Sequence, residues 1–132
     1  MDSCLSIDEV AKRTGLTAHT LRYYERIGLV APIARLAGGQ RRYASRDVAW
    51  IEFLLRLRTT RMSISQMQAF ATLRGAGDGT VAARRRMLEA HLADVLADIE
   101  AKRQAAQALQ AKIAHYQALE AAELSGRDPS RA

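Results

Sequence analysis

Apolar side chains recur at intervals of three and four along most of the chain, and the breaks in that rhythm fall on glycine, proline and serine. Ile7, Val10 and Ala11 mark a short first helix. It opens on Ser6-Ile7-Asp8-Glu9, a capping box in which the Ser6 hydroxyl accepts from the Glu9 amide and Glu9 reaches back to the Ser6 amide. Gly15 is placed to end it in the left-handed conformation. Thr17 caps a second helix that runs to about Ile27 and stops at Gly28. Two short helices joined by a glycine-containing turn make a helix-turn-helix whose second helix is the reader.

The segment from Leu29 to Tyr43 lacks helical spacing. Gly38-Gly39 can adopt the positive φ of a two-residue hairpin turn, and Pro32 marks the entry to a small β-ribbon, a wing. Ser45 can cap a third helix, with Asp47 favoured in its first turn by the helix dipole. Val48, Ile51, Leu54 and Leu55 carry its stripe, widened by Trp50, Phe53 and Leu57. The two aromatics read as packing anchors rather than ligand-stacking residues. Ser63-Ile64-Ser65-Gln66, a second capping box, starts a fourth helix bearing Met67, Phe70 and Leu73. A glycine-rich stretch, Arg74 to Gly79, follows as a flexible connector.

From about Thr80 to Leu119 there is neither glycine nor proline, so one long helix is expected. Leu88, Leu92, Val95 and Ile99, then Leu109, Ile113 and Tyr116, step by four and three in one register. Lys102 and Ala106 occupy the gap, and the pattern spans four heptads, a coiled-coil signature. A stripe running along about 40 residues, roughly 60 Å of helix, requires a partner helix or a fold back onto its own domain. The front domain is too small to cover it. The expected organisation is a DNA-binding domain over 1–74, a connector over 75–79, a dimerisation helix over 80–120 and a tail over 121–132.

Charge sharpens this picture. Residues 1–86 carry 15 basic and 7 acidic side chains, whereas residues 87–132 carry 5 and 7. A basic front is the footprint of a phosphate-binding surface, although a membrane-surface protein could share it. Much of the excess sits in two places. Thr17 to Arg26 holds Arg22 and Arg26 four residues apart on one helix face, flanked by Tyr23, with Leu21 turned elsewhere. The wing holds Arg35, Arg41 and Arg42. A solvated basic helix and a solvated hairpin are the bland alternatives.

Other chemistry is sparse. Cys4 is the single cysteine, which rules out an internal disulfide and a cysteine cluster for a soft metal. His19, His91 and His115 lie far apart, without the spacing of a metal site. No cofactor motif is present, and Gly38-Gly39 lacks the strand-to-helix context of a phosphate loop. No nucleophile-base pair or paired carboxylates point to an enzyme. No apolar run approaches a membrane span, and the first 20 residues do not form a secretion signal, so a cytoplasmic protein is expected.

Taken together, Ser-Ile-Asp-Glu-Val-Ala-Lys-Arg-Thr-Gly, Leu-Arg-Tyr-Tyr-Glu-Arg-Ile-Gly-Leu-Val, Gly-Gly-Gln-Arg-Arg-Tyr, Asp47-Val48 and Met62-Ser63-Ile64 resemble the MerR family of bacterial transcription regulators. The resemblance covers roughly residues 5–73, and the long helix extends it. It implies a mainly α fold: a winged helix-turn-helix followed by a long helix that pairs antiparallel with its twin in a homodimer. It further implies binding to double-stranded promoter DNA with an overlong spacer, distorted so that RNA polymerase is engaged indirectly, through the DNA. The contacts it implies are Thr17, His19, Arg22, Tyr23, Arg26, Arg41, Arg42 and Tyr43. Gln40 departs from the pattern, since the family often carries an aromatic residue after the wing glycine.

Metal-sensing members place cysteines at the ends of the dimer helix, where this chain has none, and no residues remain for the extra ligand domain of drug-sensing members. The chain looks like the short members associated with aldehyde or other electrophile stress. Those often use a cysteine in the third helix, where Leu54 and Leu55 stand here. An architectural DNA-bending protein of the excisionase type would share the winged reader without needing a four-heptad helix.

Overall fold

The computed structural model describes residues 4–126. Five α-helices follow in order: α1 (Ile7–Thr14), α2 (Ala18–Arg26), α3 (Ser45–Thr59), α4 (Ile64–Gly75) and α5 (Val81–Gly126). Two compact units emerge, one extending to His91 and one beginning at Leu92.

In the first unit, local chemistry sets the helix ends. Both Ser6 and Ser63 form full capping boxes, with Glu9 and Gln66 respectively. Gly15, at φ 78°, closes α1 by donating to Ala11 O. Thr17 Oγ1 accepts from the Thr20 amide at 3.0 Å. The third helix departs from expectation. Its cap is Ala44, one residue before Ser45, and the Ala44 amide donates to Asp47 Oδ2 at 2.9 Å. The carboxylate at the third helical position accepts from the cap amide, and the Asp47 amide, which a capping hydroxyl would otherwise accept from, donates to Ala44 O at 3.0 Å.

The wing also closes differently. Only Gly39 takes a left-handed φ, 85°, and its amide donates to Leu36 O at 2.9 Å while Leu36 N donates to Gln40 O at 2.8 Å. This is a three-residue loop with a left-handed third residue, not a two-residue turn. Its arms meet in a single antiparallel bridge, Arg35 to Arg41, and no longer strand forms among the described residues. A second bridge joins Tyr43 to Leu5 through paired hydrogen bonds of 2.8 Å, anchoring the returning arm to the start of the chain.

Val10, Leu21, Leu29, Tyr43, Ile51 and Leu54 are fully buried. Each such side chain contributes roughly 1.5 to 3 kcal/mol. Trp50 locks this core to the wing segment: Nε1 donates to Leu29 O at 2.8 Å, and its ring stacks on Phe70 with centroids 5.7 Å apart. The Arg74 guanidinium lies 4.4 Å from the Trp50 ring centre. Phe53 edges the same cluster but stays partly exposed.

The glycine-rich stretch is a bonded turn. Residues 78–80 form one turn of 3-10 helix, and the Thr80 hydroxyl lies 2.6 Å from Leu73 O and accepts from Arg84 Nε at 3.1 Å. The first unit therefore reaches beyond the expected connector and takes in the start of α5, where Met87 and Leu88 pack on the core. At the other end α5 continues through Gly126, so 121–126 of the expected tail is helical; 127–132 lies outside the described residues.

The second unit is the remainder of α5. Leu92, Ile99, Leu109, Ile113 and Tyr116 are all about half exposed along it, as are Leu96 and Leu119. No helix among the described residues is long and apolar enough to cross a membrane.

Candidate nucleic-acid interface

Successive helical residues are separated by about 100° of rotation, which puts His19, Arg22, Tyr23 and Arg26 on one side of α2 and Leu21 and Tyr24 on the other. The burial pattern follows that geometry. Leu21 and Tyr24 enter the core, while His19, Arg22 and Arg26 are exposed. Tyr23 is half-buried, and the Arg26 guanidinium stands 5.4 Å from its ring centre, which orders the cation without neutralising it. Thr17 is exposed at the helix start, where its hydroxyl serves as the cap.

Two long-range bonds hold the reader from behind. Arg58 Nη1 donates to Tyr24 Oη at 3.1 Å, and Gln68 Nε2 donates to Ile27 O at 2.9 Å. Neither residue stands out in the sequence, because each acts across tens of positions. Both are signalled only by a polar group in an otherwise helical stripe.

The wing's arginines differ from one another. Arg35 Nη1 folds back onto Gly39 O at 3.1 Å. Arg41 Nε pairs with Glu25 Oε1 at 2.8 Å, with both side chains mostly covered. Arg42 is half-buried and lies near Glu9, whose carboxyl is held below its usual range chiefly by the Ser6 backbone amide and then by the Ser6 hydroxyl, with Arg42 a smaller influence. Tyr43, expected among the contacts, is 1% exposed. Its ring belongs to the core, its backbone is occupied by Leu5, and its hydroxyl finds no partner among the described residues. Burial pushes its pKa up, against the opposing pull of Arg41. Of the expected contacts on α2, Thr17, His19, Arg22 and Arg26 are thus exposed and Tyr23 half-buried, while on the wing Arg35 is exposed and Arg42 half-buried. No group of three or more metal-ligating side chains forms among the described residues.

A family model described as "MerR HTH family regulatory protein" matches residues 5–72, which takes in all of these side chains. The chain belongs to the MerR family. Among curated MerR-type relatives, the transcriptional regulator AdhR of Bacillus subtilis is 46% identical over 84 residues, covering 64% of this chain and 60% of that protein. An HTH-type transcriptional regulator of Haemophilus influenzae is 31% identical over 109 residues, covering 83% of this chain and 81% of its own. Among solved MerR structures, a transcriptional regulator from Listeria monocytogenes superposes with a TM-score of 0.87 at 31% identity, covering 97% of this chain and 99% of that one. HiNmlR, a MerR family regulator lacking the sensor domain and bound to promoter DNA, gives 0.80 at 30% identity, covering 92% and 94%.

The expected dimerisation residues divide within this MerR chain. Leu88 is partly buried against the core of the first unit. Leu92, Ile99, Leu109, Ile113 and Tyr116 are exposed, and Val95 is intermediate. Leu96, Leu119 and Leu124 are exposed apolar residues outside the expected register, detectable only by plotting every apolar position on the helix rather than following one heptad seam.

Proposed function

We propose that two copies of this chain pair through the α5 stripe, bind an inverted-repeat operator in double-stranded promoter DNA, and distort that DNA to control transcription by RNA polymerase in the cytoplasm. The observation that carries this reading is the division of α2 into a buried face, Leu21 and Tyr24, and an exposed polar face, where His19 stands with the cations Arg22 and Arg26. Thr17 and His19 stand at the helix start, where a reader meets base edges; Arg22, Arg26 and Arg42 serve phosphates, and Tyr23 lies along a sugar. Action is by binding and not by catalysis.

The apolar side chains exposed from Leu92 to Tyr116 support a paired α5, antiparallel as the two-fold symmetry of an inverted repeat allows. HiNmlR, of similar fold and lacking a sensor domain, is bound to promoter DNA. A rigid helix pair fixes the separation of two winged readers, so both engage phosphates only when the duplex between them bends or untwists. Such a bend costs on the order of 1 to 6 kcal/mol, offset by the contacts it permits.

The test is a promoter series in which the spacer between polymerase recognition elements is shortened base by base, with transcription and bend angle measured with and without protein. Activation vanishes as the spacer reaches ordinary length. Unchanged activation on every spacer, with straight DNA, would mean recruitment by direct contact instead.

A further inference from the structure

Glu25 is the only acidic residue of α2, and it faces the wing rather than the open side of the reader. Its carboxylate holds Arg41 Nε at 2.8 Å, with 18% of the Arg41 side chain and 15% of the Glu25 side chain exposed. The neighbouring cation Arg35 is turned onto the loop carbonyl of Gly39. Immediately after Arg42, Tyr43 is fixed by burial and by two backbone hydrogen bonds to Leu5. The returning arm of the wing is therefore braced at two points, by Tyr43 against the start of the chain and by Arg41 against the reader.

An arginine whose charge is already balanced by a partly buried carboxylate gains little from a phosphate. Turning the Nε–H to one would break the pair and leave Glu25 uncompensated and partly desolvated, and a phosphate drawn to the outer guanidinium nitrogens would bring its own charge close to the Glu25 carboxylate. We infer that Glu25 is a positioning residue of the DNA interface: by holding Arg41 it sets the wing's place relative to the reader helix and withdraws Arg41 from the phosphate contacts, leaving Arg42 as the wing's phosphate cation. This rests on the reading of the protein as a DNA-binding regulator. It splits two arginines that are adjacent and identical in sequence into different roles.

Salt dependence separates the roles, because each phosphate contact releases counterions and steepens the fall of affinity with salt by about 0.9 per contact. The full chain and its variants are titrated, over a series of salt concentrations, with a duplex that the wild-type protein has selected from a random-sequence pool. Arg42→Gln flattens the slope by about one contact. Arg41→Gln leaves the slope at the wild-type value while weakening binding at every salt concentration on the order of tenfold, within the range for residues coupled in one ion-pair network. Glu25→Gln steepens the slope, since Arg41 is freed, and the exchanged pair Glu25→Arg with Arg41→Glu regains affinity relative to either single change. Equal flattening by Arg41→Gln and Arg42→Gln, with no steepening in Glu25→Gln, overturns the inference.

A second measurement needs no DNA. The side-chain Nε–H resonance of Arg41 in nitrogen-15-labelled free protein is slow to exchange with water, and that protection is lost in Glu25→Gln while the melting temperature shows the variant folded. A rapidly exchanging Arg41 in the wild type ends the positioning role even if the duplex binds normally. A protected Arg41 in a chain that binds no duplex at any salt concentration sinks the functional reading instead, and the positioning role with it.

Discussion

Thr60 Oγ1 and His91 Nε2 lie 2.6 Å apart and join the end of α3 to α5. The Thr60 hydroxyl also lies 2.7 Å from Arg56 O, and it has one proton to give. Donation to that carbonyl makes the His91 ring nitrogen the donor in the contact with Thr60. Thr60→Val removes this half-buried bond and lowers stability by about 1 kcal/mol. Denaturant titration at fixed chain concentration measures it, since the proposed pairing of two chains would make stability depend on concentration. A midpoint equal to wild type would show that the contact contributes nothing.

Val95 and Ile99 sit one above the other on α5, Val95 half-buried and Ile99 49% exposed. Replacing both with aspartate puts charges in the middle of the proposed seam. Sedimentation then finds monomers, and operator affinity drops steeply because two readers no longer bind as one unit. Dimers of normal affinity from this variant would place the interface elsewhere on the chain.

His19 and Arg42 test the sorting of contacts. Loss of a base contact changes which operator positions matter, by about 1 to 3 kcal/mol each, whereas loss of a phosphate contact weakens all sequences alike. His19→Ala accordingly alters a selected binding motif, and Arg42→Gln does not. Thr17 has a second duty as helix cap, so Thr17→Ser, which keeps the capping hydroxyl and removes only the methyl, isolates the contact that methyl makes with a base edge. A motif that shifts with Arg42 and not with His19 reverses the assignment.

Tyr43 carries a pH dependence whose sign follows from its burial. Its phenol is harder to ionise folded than unfolded, so the folded state binds the proton more tightly. That contribution is fully present below the ordinary tyrosine value of about 10 and is lost as the pH rises from there through the raised folded value. Tyr43→Phe removes this alkaline loss. Because the hydroxyl has no partner among the described residues, the variant stays within about 1 kcal/mol of wild-type stability at neutral pH. Its DNA affinity is unchanged, since the ring is inside the core; a marked loss of affinity in a folded Tyr43→Phe protein would return Tyr43 to the contact surface.

Features that depend on near neighbours were legible in the sequence alone. Ser6 with Glu9, Ser63 with Gln66, Thr17 with Thr20 and the left-handed Gly15 all act within about one helical turn, so spacing determines them. The long uninterrupted run after Thr80 likewise specifies a helix before any packing is known. The order of these elements was enough for family membership. Tertiary structure decided which side chains remain available. Leu88 fits the heptad as well as Leu92 does, but the first unit's core covers it. Ser45 is a better capping residue than Ala44, yet the carboxylate of Asp47 moved the cap one position earlier. Arg41, Arg42 and Tyr43 form one polar, basic run in sequence. Glu25, 16 residues from Arg41, takes the first; the bridge from Leu5 draws the third into the core. Composition determines how many charges a surface can hold, but pairing and burial act across space, and only the folded chain decides which of them are left for DNA.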